Sequence, residues 1–330
     1  VGVFYPAYLL YILRLSEMPA FTATAPGKII LFGEHAVVYG RPAIAAPVTQ
    51  VRARAVINPE LRRPSGYVRI QAPDIHLDAD LEELPGEHPL ARAVMEVLAE
   101  LKIPRLPACT LRITSSIPVA SGLGSGAAVS VAVIRALSAF LGMPLPLERV
   151  SALAYEVEKI HHGTPSGIDN TVITYGKPVY FVRGQPIQTL HPAVPFTIVI
   201  GDTGIASPTA IAVGDVRRGW GSDPQRYEAI FDEIGEISGQ ARATIQAGTP
   251  EVLGPLMDDN HLYLQDLGVS SLELDRLVSA ARQAGALGAK LSGGGRGGNM
   301  IALAEPVTAQ VVASALLKAG AQRTIVTEVV

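Results

Sequence analysis

From Phe21 to Ile30 the apolar positions follow a strand-like pattern. Gly33 and Gly40 interrupt it, and Ala43 to Ile57 resumes β-branched alternation through Val48, Val51 and Val56. Two extended runs separated by glycines predict a hairpin-rich start, not a strand–helix–strand unit. Val68 to Leu77 reads as a further strand. Pro89 to Lys102 places Leu90, Val94, Val97, Leu98 and Leu101 at helical spacing. Leu111 to Ser115 is a short strand that runs directly into a glycine-rich loop, and Ala127 to Leu141 is alanine-rich and apolar all round, which predicts a buried helix ended by Gly142 and Pro144. A further helix is predicted from Leu147 to about Ile160 with Val150, Leu153, Ala154 and Val157 inward, then a turn-rich loop over His161 to Asn170, then a strand-like stretch from Thr171 to Phe181.

Proline-rich connections around Arg183 to Pro195 mark a boundary. They divide the chain into an N-terminal domain over 21–188 and a C-terminal domain over 189–330, with 1–20 as an extension outside the core. The second part reads as a strand over Phe196 to Gly201, a loop, and helices over about Asp223 to Ala247, Pro250 to Leu267 and Ser271 to Ala284, followed by strand, helix and strand. Mixed strands and helices in both parts predict an α+β fold of two lobes, and 330 residues are enough for two cores.

Composition narrows the functional classes. With 48% hydrophobic and 17% charged residues the chain has the make-up of a globular protein. A net charge of −3 without a basic run argues against nucleic acid as a partner. Cys109 is the sole cysteine, so neither an intrachain disulfide nor a cysteine metal site is available, and a reducing cytoplasm is the expected setting. The apolar stretch from Val1 to Leu15 has no basic leader and is too short to span a bilayer, so no membrane partner is expected, and Met18 is the expected natural start.

Three glycine-dense segments carry the chemistry: Pro26 to His35, Pro118 to Ala128, and Lys290 to Asn299. The middle one follows a predicted strand and opens a buried helix, so its free amides and the positive helix end suit anionic phosphates. Gly122 to Ala127 also satisfies Gly-x-Gly-x-x-Ala, but the strand and acidic residue that a dinucleotide turn requires do not follow. No lysine follows the glycines, so the Walker A pattern fails as well. Gly293 to Gly298 reads either as a flexible turn or as a second wall of the same ligand site, with Arg296 adding charge or pointing into solvent.

Phosphoryl transfer needs a positioned hydroxyl, charge stabilisation and usually Mg²⁺. Lys28 lies in an apolar strand, where a charge requires a partner. Asp169, in the turn-rich Gly163 to Asn170, is the natural one, with the lysine holding the carboxylate ionised. Glu158 near its helix end is either a solvated carboxylate or a Mg²⁺ ligand, Glu34 and His35 are expected to be exposed at a strand end for binding, and His161 and His162 show no zinc spacing.

These segments, with His162 to Asn170, Leu256 to His261 and Leu267 to Ser270, resemble the GHMP family of small-molecule kinases, most closely its mevalonate-phosphorylating branch, over roughly Thr22 to the C-terminus. The resemblance implies a ribosomal S5-like N-terminal lobe, a ferredoxin-like C-terminal lobe and ATP in the cleft between them. It assigns Pro118, Ser121, Gly122, Leu123, Gly124, Ser125, Gly126, Ala127 and Ala128 to the phosphates, with Gly293, Gly294, Gly295 and Arg296 on the ATP side of the third loop. It makes Glu158 and Ser125 the Mg²⁺ ligands, Asp169 the base and Lys28 its stabiliser, and puts Lys28, Glu34, His35, Ser166, Asp169 and Thr209 near the acceptor. Two departures stand out. The family's paired serines are Ser125 and Gly126 here, leaving Ser125, Ser121 or water to complete the metal shell. Arg296 replaces a family glycine, and Gly294 an alanine, so Arg296 is expected to bring charge near the nucleotide. The implied reaction is ATP-dependent phosphorylation of the 5-hydroxyl of (R)-mevalonate in isoprenoid precursor synthesis. The alternatives are a sister kinase for the 3-hydroxyl or for phosphomevalonate, and a non-catalytic nucleotide-binding homologue. The expected partners are mevalonate and ATP, and the resemblance leaves a homodimer open.

Overall fold

The computed structural model describes residues 20–118, 122–162, 165–206 and 209–330, so all but the last residue of the expected extension over 1–20 lies outside the described residues. The chain opens with the antiparallel pair β1 (Phe21–Phe32) and β2 (Ala43–Pro59), as the glycine-interrupted pattern predicts. β1 changes register against β2 between Pro26 and Gly27 and again between Ile30 and Phe32. Such shifts free individual backbone groups from the ladder, and both recur at the site below.

The predicted strand over Val68 to Leu77 is instead two, β3 (Val68–Ala72) and β4 (Leu77–Asp80), folded back on each other around a short 3-10 turn at Pro73–Ile75. Pro73 has no N–H for a ladder and ends the first strand. After α1 (Pro89–Leu101), β5 (Cys109–Ser115) pairs parallel with β3 and antiparallel with β2. The buried helix α2 (Ser125–Phe140) and then α3 (Leu147–His162) follow as expected.

The next segment departs from prediction. Thr171 to Phe181 is not one strand: α4 (Ile168–Tyr175) precedes a short β6 (Val179–Phe181). β-branched residues suggested extension, but Gly167 in the left-handed region starts a helix, and the Thr171 hydroxyl donates to the Gly167 carbonyl at 2.7 Å. Ile168, Val172 and Ile173 are buried along it, so packing overrides propensity. β7 (Gln188–Thr189) closes the first sheet, whose order is β4-β3-β5-β2-β6-β7 with β1 also on β2.

The second sheet starts at β8 (Phe196–Asp202). A helix absent from the sequence reading, α5 (Thr209–Ser222), comes next; Gly214, Gly219 and Gly221 dilute its pattern, and only Ala212 and Val216 are buried. The predicted helices appear as α6 (Pro224–Ala247), α7 (Leu253–Asp266) and α8 (Leu272–Gln283), then β9 (Gly288–Ser292), β10 (Asn299–Ala304), α9 (Ala309–Lys318) and β11 (Arg323–Val329). The order β11-β8-β10-β9, with antiparallel neighbours throughout, is that of a ferredoxin-like lobe.

The lobes share apolar packing through this second sheet. Ile198 and Ile200 of β8, with Ile301 and Leu303 of β10, join the core of the first lobe. The alternate residues Val199, Met300 and Ala302 join the core under α8 and α9. Side chains on a strand alternate faces, and both faces here are covered. The two lobes are therefore joined through a shared apolar layer.

Candidate active site

The first register shift in β1 prepares the middle glycine loop. It leaves the Lys28 amide free to donate to the Leu123 carbonyl at 2.9 Å, which ties the middle glycine loop to β1. Gly124 then caps α2 in the left-handed region at φ 75°. A Cβ there would lie 2.8 Å from Ile173 Cδ1 and 3.0 Å from Lys28 Cγ, so the loop approaches Lys28 as closely as its backbone allows. Ser125 begins the helix, Ala127 and Ala128 are buried in it, and the α2 amide end faces the loop. Ser121, assigned to the phosphates, lies outside the described residues, whereas Pro118 and Gly122 are among them.

The expected Lys28–Asp169 pair is present, with Nζ to Oδ1 at 3.2 Å. Lys28 is almost fully buried in β1, whereas the Asp169 side chain, in the first turn of α4, is 32% exposed. The lysine is therefore anchored and the carboxylate open to the cleft. Ser166 lies just before, its Oγ accepting from the Ile168 amide at 3.3 Å.

Burial removes one of the two readings of Glu158. It is 5% exposed, which overturns the solvated-helix reading. Its pKa is pushed up to about 7, first by burial and then by the Asp169 charge, with Lys28 opposing both. Gly126 leaves it room: a Cβ there would sit 3.3 Å from Glu158 Oε1. No cluster of three or more His, Cys, Asp or Glu ligands occurs among the described residues, so any cation here takes part of its shell from elsewhere. Hard carboxylate and hydroxyl oxygens, with the rest from water and phosphate, are the donor set that Mg²⁺ accepts, and Glu158, Ser125 and the neighbouring Asp169 fit it.

The third loop closes the far wall. His35 Nε2 donates to the Gly294 carbonyl at 3.1 Å, and Gly294 packs so close to Thr209 that a Cβ would meet its Oγ1 at 3.0 Å. Thr209 is thereby brought to this loop at the start of α5. Gly293 and Gly295 both have positive φ, and a Cβ on Gly295 would run into the Val269 carbonyl at 1.9 Å. Arg296, at φ 59°, directs its guanidinium to Asp215 on α5 and to the Gly268 carbonyl, while its amide donates to the Val269 carbonyl at 2.7 Å. The charge expected near the nucleotide already has a carboxylate partner within the second lobe.

Glu34 and His35 are not exposed, contrary to expectation; they are 1% and 5% accessible, because the second lobe packs over the end of β1. Burial drives the His35 pKa down to about 4, which keeps the ring neutral with Nε2 as donor. Glu34 forms an ion pair with Lys290, a residue the sequence reading did not single out, and both side chains are fully enclosed. The signal was available: Lys290 is a lysine in an apolar strand, the same reason that singled out Lys28. Burial raises the Glu34 pKa and lowers that of Lys290, with their mutual attraction opposing both shifts.

The chain is similar to known proteins over most of its length. Residues 89–177 match the family model GHMP kinases N terminal domain, and residues 241–322 match GHMP kinases C terminal. The mevalonate kinase of Thermococcus sibiricus is 39% identical over 313 residues, covering 90% of this chain and 93% of that protein. Among solved structures, L. major mevalonate kinase in complex with R-mevalonate aligns with a TM-score of 0.79 at 33% identity, over 93% of this chain and 95% of that one. Methanococcus jannaschii mevalonate kinase aligns with a TM-score of 0.79 at 25% identity, over 94% and 98%.

Proposed function

Because the chain belongs to the GHMP kinase family, we propose that it transfers the γ-phosphoryl group of ATP to the 5-hydroxyl of (R)-mevalonate, yielding 5-phosphomevalonate and ADP. The observation that carries the reading is the Lys28–Asp169 pair beside the glycine loop that Lys28 itself tethers. One residue thus places the phosphate cradle beside the proton acceptor, the kind of proximity that phosphoryl transfer relies on.

In this reading the amides of the Gly122 to Ala128 loop and the start of α2 bind the phosphates, and Gly293 to Gly295 support them from the second lobe. The open Asp169 carboxylate takes the proton from the acceptor hydroxyl. Lys28, fixed in β1, offsets the carboxylate charge and orients the group that accepts the proton. Glu158, with Ser125, would hold Mg²⁺, which when bound neutralises charge on the phosphates. Ser166 and Thr209 border the acceptor side. A Mg²⁺ requirement and a cytoplasmic setting are parts of the same proposal; no helix among the described residues is long and apolar enough to cross a membrane.

The test is a coupled ADP-release assay with Mg-ATP and (R)-mevalonate, followed by phosphorus NMR of the product. A phosphate on the C5 methylene is the expected product. A 3-phosphate would move the assignment to the sister reaction, and no turnover on mevalonate would overturn the reading.

A further inference from the structure

β9 is an edge strand of the second sheet, and groups on its free edge are met by α7 and by its own Lys290 side chain. The Leu291 amide donates to His261 Nδ1 at 3.3 Å, and its carbonyl accepts from Lys290 Nζ at 2.8 Å. Two residues after Lys290, Ser292 Oγ donates to the Ile30 carbonyl at 2.9 Å and accepts from the Ile30 amide at 3.1 Å, beside the second register shift of β1. Lys290 and Ser292 lie on one face of β9 and reach two points on the first lobe, Glu34 and Ile30. The strand is stitched to β1 immediately before it enters the third glycine loop.

The turn at the other end of this stitch has little freedom. Gly33, at φ 93°, leaves no room for a Cβ, which would lie 2.4 Å from the Pro42 carbonyl. His35 adopts φ 60°, an uncommon conformation for a non-glycine residue, and its ring is held by the Gly294 carbonyl. Glu34 places one oxygen on Lys290, while Oε2 is buried without a hydrogen-bond partner. Two ions taken wholly out of water are poor value as stabilisation, since an apolar pair of similar size commonly does as well. What the ion pair adds is direction. It aligns the Glu34–His35 turn against Lys290 and the loop that follows.

We propose that Lys290 is a positioning residue for the phosphoryl acceptor: its buried ion pair with Glu34 fixes, across the lobe interface, the turn carrying Glu34 and His35 against the glycine loop after β9. The inference rests on the acceptor reading given above. The charge of Lys28 also reaches Glu34, so Lys290 serves as the counter-ion that leaves Lys28 to Asp169.

The experiment compares the full-length parent, Lys290→Met, and Glu34→Leu combined with Lys290→Met. It measures thermal midpoint, nucleotide affinity without acceptor, and steady-state kinetics on mevalonate. Lys290→Met is expected to raise the mevalonate KM by at least about tenfold and to leave nucleotide affinity within about twofold, a split that separates acceptor positioning from general damage. If the single variant does not fold, the double variant, which buries no unpaired charge, is expected to recover the parent midpoint but keep the loss in kcat/KM. Recovery of both midpoint and kcat/KM in the double variant would overturn the proposal, as would an unchanged mevalonate KM in a folded Lys290→Met. Parent enzyme that fails to turn over mevalonate would sink the acceptor reading and this inference together; a parent that turns over alongside a fully recovered double variant sinks only the inference.

Discussion

Lys28 and Lys290 both sit in apolar strands and both face a carboxylate, but water reaches only one of the pairs. Lys28 meets an Asp169 that is 32% exposed, within the first lobe; Lys290 meets a Glu34 that is fully enclosed, across the lobe interface. The open carboxylate can exchange a proton with a substrate hydroxyl, while the enclosed one has no route to do so in this conformation. The same pairing therefore serves reaction in one place and alignment in the other. Burial, not residue type, separates the two roles.

The largest expected effect tests the open pair. Asp169→Asn should lower kcat by about 10²–10⁴-fold while nucleotide affinity stays close to the parent value, measured by steady-state assay and by titration. A loss below about tenfold would remove Asp169 from proton transfer. Stability should respond in the opposite order. Lys290→Met strands a buried carboxylate and should cost about 3–5 kcal/mol by denaturant unfolding, clearly more than Lys28→Met, whose partner remains partly hydrated. Equal losses would erase the contrast between the pairs.

Glu158 sharpens the comparison with a third carboxylate. Its folded-state pKa of about 7 lies above the ordinary 4.5, so its neutral form is the one the fold favours. The metal-free protein should therefore lose stability as pH rises from about 4.5 through 7, by up to about 3 kcal/mol for a shift of this size. Glu158→Gln should abolish that slope, giving a protein more stable than the parent at pH 8 and equal to it at pH 4; parallel unfolding curves at both pH values would refute this. The smallest effect concerns the surface. Arg296 is 38% exposed and already paired with Asp215, so Arg296→Ala should change stability by no more than about 1 kcal/mol and leave the ATP KM nearly unchanged. A large rise in ATP KM would return the guanidinium to the nucleotide.

Much of this was legible in the chain because the relevant signals are local. The hairpin of β1 and β2, the all-apolar α2, the amphipathic α1 and α3 and the three glycine segments each announce themselves within a short window. Lys28 was legible because a charge in an apolar strand demands a partner. Where local signals conflicted with packing, packing won. Thr171 to Thr174 favour extension by residue type, yet they form α4, because Gly167 caps it and its apolar side chains are buried. α5 is not legible in sequence because its glycines and shallow burial leave almost no periodicity.

The class of chemistry, the two-lobed α+β architecture and the identity of the Lys28–Asp169 pair were legible in the chain alone, since glycine spacing, periodicity and an isolated charge in an apolar run are properties of neighbouring residues. Which carboxylates see water follows from the packing of the fold. By local sequence Glu158 reads first as a solvated helix carboxylate, Glu34 and His35 as exposed strand-end residues, and Arg296 as available to a nucleotide. Exposure belongs to the packing of one lobe on the other, across separations such as the 256 residues between Glu34 and Lys290. No local pattern encodes an interface assembled from both ends of the chain, and at this one, desolvation sets what each charged group can do.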